Sequence, residues 1–214
     1  MTTIEQPKQT RSKRTLHRIL DATEALLETQ PFDRLTIQKI TSRAGIATGS
    51  FYTRFENKAA VLEVLFDRYL KDTERIVDEA TGGDRWSGLS LKQRVPCLCE
   101  LMVRTFRARR GVSRSAQLHY LRFPEHASAE LRERLGTSYE KIAQVMLGDG
   151  HEIMHADPRL AAHFAVQLAA AICRARILFS DHPLPDSVGG GDDLLVKELS
   201  RALLGYLTAD GSGR

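Results

Sequence analysis

Cysteine is scarce in this chain. Cys97, Cys99 and Cys173 are an odd number with neither disulfide-framework nor metal-site spacing. Cys97 and Cys99 sit two apart on a predicted helix, so their side chains diverge, and all three are expected as small apolar residues. No apolar run approaches the ~20 residues that span a bilayer, so no membrane partner is expected. The start, MTTIEQPKQTRSKR, is polar with no apolar stretch behind it. No secretory leader is expected from it, and a cytoplasmic location is. Catalytic signatures are missing as well. Gly189-Gly190-Gly191 runs into Asp192-Asp193 rather than into Lys-Ser/Thr, and no nucleophile elbow occurs. No cofactor is expected.

An excess of one charge is also nearly absent, at +4 overall. Its placement is informative. Residues 61–214 hold 21 basic and 21 acidic side chains, and residues 21–60 hold 5 of each. The surplus lies on Lys8, Arg11, Lys13, Arg14 and Arg18, against Glu5. Such an arm can neutralise phosphates and release counterions.

Helical periodicity fills the rest, with no repeat and no convincing strand, so the fold is predicted to be all-α. Residues 1–10 are expected to be a disordered arm. A first helix from Arg11 carries Leu16, Ile19, Leu20, Ala22, Leu26 and Leu27, and stops before Pro31. Short helices are predicted over 36–42 and 48–55. Asn57 then caps a long helix that ends at Thr81-Gly82-Gly83. Further helices are predicted over 91–110, 112–122, 125–147, 158–180 and 192–207, with a flexible link through Pro183, Pro185 and Gly189–Gly191. The 158–180 segment is apolar over most of its circumference, so it should be covered on several sides. The expected domains are 11–58 and 59–208, followed by a frayed tail at 209–214.

The 36–58 string, TIQKITSRAGIATGSFYTRFENK, carries the functional signal. Two short helices joined across Gly45 are the geometry of a helix-turn-helix, whose second helix enters the DNA major groove. Ile37, Ile40, Ala44, Ile46, Phe51 and Phe55 can lock the pair against the first helix. Gly45 can supply the positive φ of a tight turn. Between the packing positions lie short or polar residues, Ala47, Thr48, Gly49, Ser50, Tyr52, Thr53 and Arg54.

The whole string resembles the TetR family of bacterial transcriptional regulators. The matching residues are Thr36, Ile40-Thr41, Ala44-Gly45-Ile46, Gly49-Ser50-Phe51-Tyr52, Phe55 and Lys58, then Val61-Leu62, with Arg18-Ile19-Leu20-Asp21-Ala22 before them. Thr41 stands where alanine is usual and Phe51 where leucine is common. The resemblance covers about residues 14–65. It implies an N-terminal three-helix DNA-binding domain and a larger C-terminal helical domain that dimerises and binds an effector. It also implies roles. Thr36 would cap its helix and touch a phosphate, and Tyr52 and Lys58 would each contact a phosphate. Gln38, Thr48, Ser50 and Arg54 would read base edges, beside Thr53, and Gly49 would admit close backbone approach.

A repressor of this kind would bind a palindromic operator in double-stranded DNA as a homodimer, through the helices at 158–180 and 192–207. A small, mostly hydrophobic effector would release it. Polar residues interrupt apolar helices at Glu100, Arg104, His119, His163, Gln167 and Arg174. A buried charge needs a partner, so each is a candidate effector contact or an internal pair. There are two alternatives. One is a sequence-tolerant nucleoid-type DNA binder. The other is a zinc hydrolase using His151, Glu152 and His155, which spell HExxH. That string lies between Gly148-Asp149-Gly150 and Asp157-Pro158, which leaves little room for the helix such a site needs. No enzymatic activity and no resident metal are expected.

Overall fold

The computed structural model describes residues 6–180 and 189–209, with side chains from residue 12 onward. The start of the basic arm, the Pro183–Pro185 link and residues 210–214 of the tail lie outside the described residues. Among those described there are nine α-helices and no strand: α1 (Gln6–Leu27), α2 (Ile37–Ala44), α3 (Thr48–Tyr52), α4 (Lys58–Thr81), α5 (Leu91–Arg107), α6 (Arg110–Arg122), α7 (Ala129–Leu147), α8 (Pro158–Cys173) and α9 (Asp192–Thr208). The fold is all-α.

Three elements differ from expectation. The first is α1, which begins at Gln6, so residues 6–10 are helical rather than a disordered arm. Pro7 falls in the first turn, where its missing N–H costs nothing. Regular helix in α3 ends at Tyr52, not Phe55. The third is the 158–180 helix, which changes pitch: α8 passes at Arg174 into a π-helical segment, Arg174–Leu178. By length and composition, the 21 residues Pro158–Leu178 are long and apolar enough to cross a membrane, which no apolar run was expected to be. One face of that stretch, from Ala161 through Ala165, Ala169 and Cys173 to Ile177, is nevertheless part of a protein core.

The chain forms two compact units. One comprises residues up to Tyr69 together with Arg109–Pro124; the other comprises Leu70–Ala108 and Glu125 onward. The sequence-based boundary at residue 58 cuts through the first of these.

In the first unit, Ile19, Leu20, Leu35, Ile40, Phe51, Phe55, Val61, Leu62 and Leu65 make the core. From far along the chain, α6 adds Val112 and Ala116 to the buried set. Its first turn abuts the end of α1. A Cβ on Gly111 would lie 2.4 Å from the Leu27 carbonyl oxygen, so only glycine permits this approach. The Gly111 N–H donates to the Glu28 carboxylate at 3.1 Å, and Arg109 pairs with Glu24 at 3.1 Å. An anion near a helix N-terminus is favourable. Arg109 has φ 49°, alone among the described non-glycine residues in being positive.

In the second unit, α5, α7, α8 and α9 enclose a core that includes Val95, Leu98, Met102, Met146, Val166, Ile177, Leu199 and Leu203. A buried ionic contact pins its edge. Glu152 accepts from the Leu91 N–H at 2.7 Å and from Arg94 at 3.0 Å. Arg94 also donates to the Leu89 carbonyl. Cys99 and Cys173 are fully buried, and that burial pushes their thiols up to about 11 and about 12.

Two outcomes are expected from this packing. Glu152→Ala strands the Arg94 guanidinium, whose side chain is 7% exposed against 27% for its partner. Chemical denaturation should show a loss of about 2–3 kcal/mol, toward the low end for a buried pair because Glu152 is partly solvated. In thiol titration of the native protein with a chromogenic disulfide, the exposed Cys97 should react at once. The two buried cysteines should react only on unfolding.

Candidate nucleic-acid interface

The turn between α2 and α3 is built by Gly45. It adopts the left-handed conformation, with φ 60° and ψ 45°. Its N–H donates to the Ser42 carbonyl, and the Ile46 N–H reaches the Thr41 carbonyl at 3.0 Å. This pair of bonds is a Schellman stop, and it satisfies carbonyls that a helix end leaves open. The exposed Arg18 lays its guanidinium on the Gly45 carbonyl at 2.9 Å. A Cβ at Gly45 would meet that guanidinium at 2.6 Å. The left-handed backbone is what asks for glycine here, since the exposed Arg18 side chain could shift to admit a Cβ.

At the other end of α2, the exposed Thr36 is the N-cap. Its hydroxyl accepts from the Lys39 N–H at 3.2 Å. Gln38 is exposed on the same helix. On α3, Phe51 is fully buried, and its ring meets Tyr52 edge-on at 5.6 Å. Tyr52 is 57% exposed. Thr48, Gly49 and Thr53 are exposed, and Ser50 is half-buried. Nothing lies within 4 Å of a Cβ placed on Gly49, and its φ is not positive. The chain's own fold therefore does not demand glycine at that position.

Two of the implied DNA contacts point inward. Arg54 donates to the Ser50 carbonyl and to the Thr53 hydroxyl, both at 2.9 Å, and reaches Ser12 of α1 at 3.4 Å. Thr53 also donates to the Ser50 carbonyl. These two side chains finish α3 where the sequence pattern continued it. Lys58 opens α4 just after Asn57, whose side chain accepts from the Ala60 N–H at 3.0 Å. The Lys58 ammonium donates to the carbonyls of Phe32 and Leu35 at 3.0 Å and of Asp33 at 3.3 Å. Nothing in the sequence pattern marks either cation as turned inward, since the carbonyls they meet lie in distant or folded-back backbone.

A packed helix pair with an exposed, short-chained second helix is the apparatus of major-groove binding. Residues 19–65 match the sequence model of the tetR family of bacterial regulatory proteins. Over these residues the chain is similar to that family. No curated protein sequence matches the chain. The solved structures that resemble it include a tetR-family bacterial regulatory protein from Rhodococcus RHA1, 16% identical, with TM-score 0.65 over 92% of this chain and 98% of that one. Another is the fatty acid degradation regulator FadR from Bacillus halodurans, 20% identical, with TM-score 0.59 over 89% and 95%. A TetR transcription regulator from Haloarcula marismortui is 16% identical, with TM-score 0.61 over 90% and 96%. These likenesses share the fold. The family matched over residues 19–65 is one of bacterial regulatory proteins, not enzymes.

The HExxH string is not on a helix. His151, Glu152 and His155 fall in turns between α7 and α8. Glu152 is committed to Arg94, His151 pairs with Asp149 at 2.6 Å, and the His155 ring meets the Asp157 backbone.

The six polar residues of the larger helices are not gathered into one interior site. Glu100, Arg104 and Gln167 are exposed. They interrupt the apolar pattern because they lie on the outer faces of amphipathic helices. His119 belongs to the first unit, while the other five belong to the second. His163 pairs with Glu140 of α7 at 3.1 Å. Arg174 is half-buried and opens the π-helical segment.

The two glycines of the motif should behave oppositely on substitution. Gly45→Ala should cost about 1–2 kcal/mol of stability from the left-handed backbone alone. Gly49→Ala should raise stability by roughly 0.5–1 kcal/mol in the helix while weakening DNA binding. Thermal unfolding together with anisotropy titration of labelled duplex checks both.

Proposed function

We propose that this protein is a TetR-family regulator, a dimeric, ligand-released repressor of a palindromic operator. The observation that carries the DNA half is the exposure of Thr48, Gly49, Tyr52 and Thr53 on a helix whose other face is locked by the buried Phe51. Thr36 and Tyr52 would anchor phosphates, while Gln38, Thr48 and Ser50 would read base edges, with Gly49 letting backbone close on the DNA.

An exposed apolar stripe on α8 supports the dimer. Leu160 is 57% exposed and Phe164 49%, and the exposed Gln167 and Ala171 continue the same face at helical spacing. Exposed large apolar residues in a row mark association surfaces. The matching helix on a second copy, with α9 beside it, is the proposed partner.

The effector is proposed to be mostly hydrophobic with one polar or anionic end. The predominantly apolar side chains of α5, α8 and α9 that face their shared core favour this, and one structural relative is a regulator of fatty acid degradation. Of the six polar candidates, Arg174 is retained as the group that would hold the ligand's anionic end.

Sedimentation should give a dimer at micromolar concentration, and Phe164→Glu should convert it to monomer and abolish operator binding. Sedimentation of the unaltered protein as a monomer would remove the dimer. In a thermal-shift screen, lipophilic acids should stabilise the protein. Stabilisation by cations alone would remove the hydrophobic effector.

A further inference from the structure

A lysine at the first position of a helix sits at its positive end, which is electrostatically the wrong end for a cation. Lys58 holds that place in α4. The compensation lies across the unit. Phe32–Arg34 form a 3-10 turn between α1 and α2, flanked by Pro31 and Leu35. An ammonium has three N–H donors. Those of Lys58 are spent on three carbonyls of this corner, Phe32, Asp33 and Leu35, at 3.0, 3.3 and 3.0 Å. The ammonium also lies 4.7 Å from the centre of the Phe32 ring, a favourable cation–π placement. The fourth carbonyl of the corner, that of Arg34, is taken by Lys39 at 3.1 Å, and the same lysine reaches the Gln30 side chain at 2.8 Å.

The residue after this corner is Thr36, the N-cap of α2. Leu35 is 1% exposed, so the corner is fixed to the core on one side and to Lys58 on the other. The position of the Thr36 hydroxyl and of the first turn of α2 therefore depends on where Lys58 holds the carbonyls.

From this we infer that Lys58 is a positioning residue for DNA binding, acting through Thr36 and the start of α2, and not a phosphate contact. The inference rests on the DNA-binding reading of the domain. A lysine already bonded to three carbonyls would have to surrender them to reach a phosphate. The phosphate-neutralising role then falls to cations that lie exposed, such as Lys13, Arg14 and Arg43.

The test uses the full-length protein and a duplex that it selects from a random library. Failure of the unaltered protein to enrich any duplex would overturn the DNA-binding reading itself, independently of any result with the variants. Lys58→Met keeps the aliphatic stem and removes the charge. Affinity for the selected duplex should fall about tenfold, the size expected for losing charge-assisted hydrogen bonds. The dependence of log affinity on log salt should keep its slope. The double variant Thr36→Val, Lys58→Met should lose no more than the worse single variant, because both act on one element. All titrations are made below the unfolding range of each variant, so a change in stability alone does not move them. If Lys58 contacts a phosphate, the salt slope drops by about 0.9 and the double variant is additive. Either result would overturn the inference. So would unchanged affinity of folded Lys58→Met. Lys58→Gln, which can still donate to one carbonyl, serves as the second variant and should fall between Lys58→Met and the unaltered protein.

Discussion

Short helices end often, and every end leaves carbonyls that the helix cannot satisfy. The DNA-binding unit has three such ends between Phe32 and Phe55, and each one draws a cationic side chain. Lys58 and Lys39 take the carbonyls of the 3-10 corner. Arg18 takes Gly45 where α2 stops, and Arg54 takes Ser50 where α3 stops. A positive charge near a helix C-terminus also answers the macrodipole. These bonds tie α1, α2, α3 and the start of α4 together more directionally than the apolar core beneath them can.

This use of cations explains why the proposed recognition surface is modestly charged. Residues 21–60 are electrically balanced, and several of their positive groups are turned onto backbone. What remains outward on α3 is small or neutral: Thr48, Gly49, Tyr52 and Thr53. Discrimination between sequences would then rest on shape, methyl contacts and a few hydrogen bonds. Attraction to the duplex would be left to the exposed cations of α1 and the end of α2.

The helix-turn-helix was legible because its signals are local. Gly45 between two apolar-patterned stretches, Asn57 before a long periodic run and Thr36 three residues before Lys39 each act within one turn. The inward cations were not legible, because composition counts charges without showing which carbonyls lie opposite. Arg54 and Lys58 look like surface groups until Ser12, Phe32 and Leu35 are brought beside them. The same limit applies to Glu152. Its neighbours in sequence suggest a metal motif, while its partners, Leu91 and Arg94, lie about sixty residues away. Glu100, Arg104 and Gln167 were misleading for a different reason: periodicity showed polar interruptions but not whether they faced a core or solvent.

The glycine contact between α6 and α1 has a consequence for modularity. The DNA-binding unit is assembled from two stretches separated by some forty residues, and Val112 and Ala116 of the later stretch are in its core. Gly111 fits against Leu27 with no room for a side chain. The head of this protein is therefore not a detachable N-terminal cartridge. A fragment ending after α4 would lack a wall of its own core. A chimaera that borrows the head of a relative would have to borrow residues 109–124 with it, or supply an α6 whose second residue is glycine.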